Sequence, residues 1–279
     1  MLSVSLPDRA VVTVSGQDAK DFLQALITTD LDTLTENEAL PGALLTPQGK
    51  IMFDFMVTRD GTAIRLETTM DQAEALLKRL TMYKLRAPIT LSVTSPAPIE
   101  IVFAATADGY RDARFDKAGH TVYRVYGAAT DATGTEDYDR LRIAGGIAIA
   151  GADYALQDAF PHDILLDKNG GLSFKKGCYV GQEVVSRMQH RGTARRRVVI
   201  VTADTALPET GTPLTVNGRL IGALGSVIGT SGLAIVRTDK AGAAMAAGEP
   251  ILAGDVAVTL TLPAWTGLEF PAEADEASA

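Results

Sequence analysis

The stretch Lys176-Gly177-Cys178-Tyr179-Val180-Gly181-Gln182-Glu183 holds the only cysteine among 279 residues. A thiol reacts or binds metal as the thiolate, and a nearby cation such as Lys176 favours that form. Gly177 and Gly181 let the backbone adopt conformations closed to other residues, or approach a ligand closely. The opposing reading is a buried cysteine in a glycine-flanked turn, because free cysteine is among the most buried residue types. Around this stretch lie Lys175, Lys176, Arg187, Arg191, Arg195, Arg196 and Arg197, seven cations in 23 residues with Glu183 the only acid. Two readings stay open for them. They form a solvated strand face whose arginines pair with acids elsewhere, or they form a site for a carboxylate or phosphate.

Composition narrows the classes. The chain is 46% hydrophobic, 22% charged and 6% aromatic, which fits a globular protein of two or three domains with a sizeable core. A net charge of −8 argues against a general nucleic-acid binder. Base stacking needs aromatics, and only Tyr179 lies in the cationic segment, so nucleic-acid binding is disfavoured. A lone cysteine forms no intramolecular disulfide, which suits a reducing compartment. Met1 to Asp8 has no basic segment followed by an apolar core, and no apolar run reaches the roughly 18 residues of a membrane span. The expectation is a cytoplasmic protein without a membrane partner. His120, His162 and His190 are scattered and, with one cysteine, give no metal-ligand spacing, so no metal site is expected.

Along the chain, Val11 to Val14 reads as a strand. A helix opens at Ser15 or Gly16 and runs to about Ile27. Leu40 to Leu45 and Ile51 to Thr58 read as strands, and Asp60-Gly61 turns into a strand over Ala63 to Thr68. Asp71 to Leu80 has helical spacing, with Ala73, Leu76, Leu77 and Leu80 inward. Ile89 to Val93 reads as a strand, and Ser95-Pro96-Ala97-Pro98 as a boundary. Ile99 to Ala105 and Val122 to Val125 follow as strands, then Asp137 to Ile143 as a helix. From Arg196 the texture becomes short strands separated by turn residues, among them Val198 to Thr202, Pro213 to Val216, the Asn217-Gly218 turn, Leu233 to Val236 and Val256 to Leu262. That is the pattern of a small all-β unit. Strands mixed with a few helices, without strict alternation, indicate α+β.

The Lys176–Glu183 stretch closely matches the K-G-C-Y-x-G-Q-E signature of the YgfZ family, folate-binding proteins related to the glycine-cleavage T-protein and implicated in iron–sulfur cluster assembly or repair. The resemblance extends to Phe160-Pro161-His162-Asp163, Val184-Val185-Ser186-Arg187, Gly16 to Gln24 with Thr29-Asp30, and Leu45 to Lys50 before Asp54. It implies a T-protein-like architecture, a ring of two ferredoxin-like α+β units and a C-terminal β-barrel. On that basis we expect an N-terminal folate-binding α+β unit over residues 1–97 and a second α+β unit over 98–195 carrying the motif. A β-barrel over 196–270 and a disordered acidic tail over 271–279 follow. Either α+β unit can be discontinuous in sequence.

The resemblance implies a tetrahydrofolate-binding accessory factor, not an enzyme in its own right. It would serve the assembly, maintenance or repair of iron–sulfur clusters in client enzymes, including radical enzymes that modify transfer RNA. Its partners would be those clients, assembly proteins and folate. Cys178 is the expected reactive group, with Lys176 tuning it. Tyr179, Gly181, Gln182, Glu183, Arg187 and Asp54 are the expected folate contacts. Gln182 and Glu183 offer the amide and carboxylate that could read a pterin, although Glu183 equally suits a salt bridge to Arg187, four residues on. The alternative is an aminomethyltransferase or other one-carbon transferase. The T-protein has two adjacent carboxylates where this chain has Phe53-Asp54. One acid is therefore missing, and Asp54 also reads as an ordinary polar residue of a strand.

Overall fold

The computed structural model describes residues 2–127 and 134–271. They divide into two compact units, one built from Met1–Tyr138 with Leu166–Val184, the other from Asp139–Leu165 with Val185–Ala279. The tail expected from residue 271 lies, beyond Pro271, outside the described residues.

The first unit carries β1 (Leu2–Leu6), β2 (Arg9–Ser15), α1 (Ala19–Gln24), β3 (Glu38–Leu45), β4 (Ile51–Asp60), β5 (Ala63–Thr69), α2 (Met70–Lys84), β6 (Thr90–Thr94), β7 (Ile99–Phe103), β8 (Tyr110–Asp112), α3 (Ala113–Lys117) and β9 (Val122–Tyr126). Nine strands form one sheet in the order β1-β7-β9-β8-β3-β4-β5-β2-β6. β3 lies at its centre, and Ala39 to Leu45 are all buried, as a near-continuous apolar run covered on both faces should be. In α2 the helical spacing puts Leu76 and Leu80 against Val12, Val14, Ile64 and Leu66. α1 is shorter than the spacing suggests. Ile27 leaves the helix to bridge Leu44, and Thr28 N–H donates to Ala43 O at 2.9 Å, so sheet pairing overrides local helix preference. The Ser95 to Pro98 run lies inside this unit, between β6 and β7 of the same sheet.

A buried ion cluster shows that this sheet folds over itself. Glu67 on β5 accepts from Arg124 Nε on β9 at 2.8 Å, from Arg9 Nε at 2.9 Å and from the Tyr126 hydroxyl at 3.0 Å. Arg124 Nη1 also donates to Asp112 Oδ2 at 2.8 Å, and Arg114 grips the same carboxylate at 2.7 Å. Three strands separate β9 from β5 in the sheet. In a flat sheet those strands would stand about 19 Å apart, so direct contact requires the two halves to face each other.

The second unit opens in α4 (Glu136–Gly145), which begins in the first, and includes most of α5 (Gln182–Arg191). It ends in β10 (Arg196–Thr202), β11 (Pro213–Val216), β12 (Arg219–Ile228), β13 (Ser231–Arg237), α6 (Thr238–Ala246), β14 (Ile251–Ala253) and β15 (Val256–Thr261). The six strands close as a barrel in the order β10-β13-β12-β11-β14-β15. Asn217 and Gly218 both have positive φ, 49° and 74°, as a two-residue hairpin turn of this kind requires. Arg142 ties the chain before the barrel to it, donating to Asp153 Oδ2 at 2.8 Å and to Ser226 Oγ at 2.5 Å. The expected α+β class with a C-terminal barrel is what the molecule has.

Candidate functional site

The Cys178 loop is held by main-chain acceptors of the first unit. Thr28 Oγ1 donates to Gly171 O at 2.6 Å, and Ser173 N–H donates to Thr28 O at 3.0 Å. Lys176 is buried, and its ammonium donates to Ile27 O at 2.9 Å and to Thr29 O at 2.6 Å. Its Nζ also stands 5.5 Å from the centre of the Tyr179 ring. Burial lowers the Lys176 pKa to about 8, against the opposing pull of Asp30 and Asp32. Burial alone would raise Asp30. The Gln24 amide, the Asp32 N–H and the Lys176 charge outweigh it and hold that carboxyl below its ordinary value.

Two of the expected ligand residues shape this loop. Tyr179 is buried and its hydroxyl donates to Ser173 O at 3.2 Å, while burial raises its pKa. Gly181 has φ +80°, and a Cβ there would lie 2.6 Å from Thr46 O in the β3–β4 turn. Val180 packs on the first unit's core. Between these fixed points Gly177 and Cys178 are exposed. Lys176, expected to tune the thiol, thus has its ammonium engaged by the carbonyls of Ile27 and Thr29. Sequence reading had no signal for that anchor, because a carbonyl acceptor is present at every residue.

Gln182 and Glu183 form the first turn of α5, with Arg187 exposed one turn later. Asp54 sits half-buried on β4, where its Oδ1 accepts from Gln72 Nε2 at 3.0 Å and its carbonyl accepts from Thr68 Oγ1 at 2.9 Å. Phe53 beside it belongs to the first unit's core. In the cationic run, Arg196 pairs with Asp158 at 3.2 Å, and Arg197, buried, donates to His162 O at 2.7 Å. At these two positions the reading of arginines engaged within the fold prevails over an open anion site. Asp163, buried beside them, has its pKa pushed up to about 6 by burial, against the Phe160 N–H and the two arginines. A cavity of about 550 Å³ on the barrel is lined by Arg196, Leu220, Ile235 and Arg237 among others, and by none of the expected site residues. Among the described residues no group of three or more His, Cys, Asp or Glu could hold a metal ion, and no helix is long and apolar enough to cross a membrane.

Residues 195–268 match the family model described as CAF17, C-terminal beta-barrel domain. The chain is 28% identical to the "Iron-sulfur cluster assembly factor IBA57 homolog, mitochondrial" of Pyricularia oryzae, over 89% of this chain and 75% of that one. It is 27% identical to the "tRNA-modifying protein YgfZ" of Shigella boydii, over 76% of this chain and 75% of that one. The chain is a homologue of the IBA57 and YgfZ proteins. In two further fungal IBA57 relatives it spans 54% of the relative's length. The fold matches the glycine cleavage system aminomethyltransferase T of Bartonella henselae with a TM-score of 0.69, covering 94% of this chain and 85% of that one at 15% identity. The IBA57 relatives are mitochondrial by name, which corrects the expected cytoplasmic location. A lone cysteine reports a reducing setting and does not distinguish one reducing compartment from another.

Proposed function

We propose that this protein is a tetrahydrofolate-binding accessory factor that assembles, maintains or repairs iron–sulfur clusters in client enzymes, tRNA-modifying enzymes among them. The observation that carries the proposal is the exposed Cys178 on a loop pinned from within, in a homologue of proteins named for cluster assembly and tRNA modification. A bound cluster here is cargo. A resident cluster takes about four thiolate ligands, and this chain has one cysteine. Cys178 therefore supplies one ligand, and the client or an assembly partner supplies the rest. Lys176 acts on the thiol through position, by fixing the loop that presents it.

The residues around the loop are chemically suited to folate. Gln182 and Glu183 bring an amide and a carboxylate to one helical turn, matching the mixed donors and acceptors of a pterin. Arg187 adds a cation one turn on, suited to a glutamate tail. The test is a knockout complemented with wild type or with Cys178→Ala, scored by the activities of cluster enzymes. Cys178→Ala should fail to restore them while folding normally, and full restoration by that variant would overturn the role given to the thiol. Calorimetry with tetrahydrofolate tests the other half. No heat of binding at about millimolar ligand, a Kd limit near −4 kcal/mol, would remove the folate assignment and leave the cysteine role standing.

A further inference from the structure

The C-terminal half of α2 carries a cationic surface that the cysteine loop does not use. Lys78-Arg79-Leu80-Thr81-Met82-Tyr83-Lys84-Leu85-Arg86 holds four cations and no acid, in a chain whose net charge is −8. No ion pair engages Lys78, Arg79, Lys84 or Arg86 among the described residues, Glu74 one turn before Lys78 included. The cations near the barrel behave differently, since Arg196 pairs with Asp158 and Arg237 with Asp239. Among these cations stand two large apolar side chains, Met82 at 62% exposure and Leu85 at 88%. Leu85 ends the helix with φ 46°, a left-handed position where glycine or asparagine is usual. Lys84 has a local explanation, because a cation in the last turn complements the helix dipole. Lys78 and Arg79 lie too far from the end for that, and the dipole accounts for neither Met82 nor Leu85.

We propose that this face docks an acidic protein partner, one presenting carboxylates around an apolar notch that receives Met82 and Leu85. Charge decides the sign of the partner. A methionine and a leucine at the centre suit a protein surface, methionine being able to adapt its shape to the partner. RNA is less well matched, because the one aromatic here, Tyr83, packs on the core and is not free to stack a base. A lipid surface is less well matched too, since two apolar side chains are a small part of the apolar face that an interfacial helix inserts.

The test uses the intact protein and a fluorescein-labelled peptide of about twelve residues alternating leucine with glutamate, read by anisotropy. We expect salt-sensitive binding, weakened about tenfold or more by Lys78→Glu with Arg86→Glu and about fivefold by Met82→Ser with Leu85→Ser, which keeps the charge. Arg191→Glu with Arg219→Glu should leave it unchanged. All these side chains are on the surface, and circular dichroism should show each variant folded. If the milder Lys78→Ala with Arg86→Ala gives no weakening, the proposal fails. Absence of peptide binding, or insensitivity to both double variants, would make the face a solvated one and overturn the proposal. Tighter binding of oligouridylate or of phosphatidylglycerol vesicles through the same residues would overturn it in favour of nucleic acid or lipid. Self-association that the same variants abolish would assign the face to a second copy of this chain.

Discussion

Gly181 and Lys176 fix the two ends of the Cys178 loop by different means. At Gly181 both space and φ are limiting, with Thr46 O 2.6 Å from where a Cβ would sit. Gly181→Ala should destabilise by about 1–3 kcal/mol, measured by denaturant unfolding. Its cost should be accompanied by lost complementation, since the loop moves. Lys176 gives a pH signature. Its folded pKa is about 8, below the unfolded value of 10.5, so between those values the unfolded chain holds the extra proton. Stability then rises with pH across that window. The stability of wild type relative to Lys176→Met should therefore increase from pH 8 to pH 10.5, and a flat difference would show that the ammonium is not buried. Cys178, exposed, should label at a single site near neutral pH in the native protein. Cys178→Ser should change stability by no more than about 0.5 kcal/mol. The acid lost at Phe53 predicts an absence of methylenetetrahydrofolate formation with the glycine-cleavage partners and tetrahydrofolate.

The strands of the first unit depend on charges that alternation does not reveal. Burial alone would raise the Glu67 pKa, but Arg124 and Arg9 overcome it and bring the carboxyl down to about 2 from 4.5. The lowered folded value means that the stability contributed by Glu67 is complete above the unfolded pKa and is lost as pH falls toward 2. Glu67→Gln should cost about 3–5 kcal/mol at neutral pH, because Arg124 stays buried with a partner removed. It should also flatten the acid limb of a stability–pH curve. Most of this unit's elements were legible. Apolar runs bounded by turn residues located β2 to β5, and Ala73, Leu76 and Leu80 marked the inner face of α2. Nothing in the strand readings over Ala63 to Thr68 and Val122 to Val125 singled out Glu67 or Arg124, because pairing between distant strands leaves no local pattern. α1 was overextended for the same reason, its end being set by Leu44. In the site, the motif named the thiol and the close-packed Gly181. It could not show that Lys176 points at carbonyls, or that Arg196 and Arg197 are tied to Asp158 and His162 O.

At the scale of the whole molecule, the barrel from Arg196 was the clearest reading, since short strands with turn residues between them survive without any long-range information. The connectivity of the two units was not readable, because nothing local marks a segment that returns. Leu166–Val184 belongs with Met1–Tyr138 although Asp139–Leu165 belongs with the barrel. A fragment ending at Tyr138 lacks Gly171, Ser173 and Lys176, leaving the Thr28 hydroxyl without its acceptor and the carbonyls of Ile27, Thr28 and Thr29 without these donors. It should resist proteolysis less well than the same residues in the full chain, and equal resistance would show that the returning segment is dispensable.

The same return has a consequence during synthesis. Chains commonly fold domain by domain as they leave the ribosome. Here the first unit is still incomplete when its main stretch has emerged, because Leu166–Val184 follows a piece of its neighbour through the exit tunnel. Only when Val184 is clear does the loop find its carbonyls. The thiol is therefore presented late, after the sheet beneath it has been made, and a nascent chain stalled before that point carries no organised cysteine site.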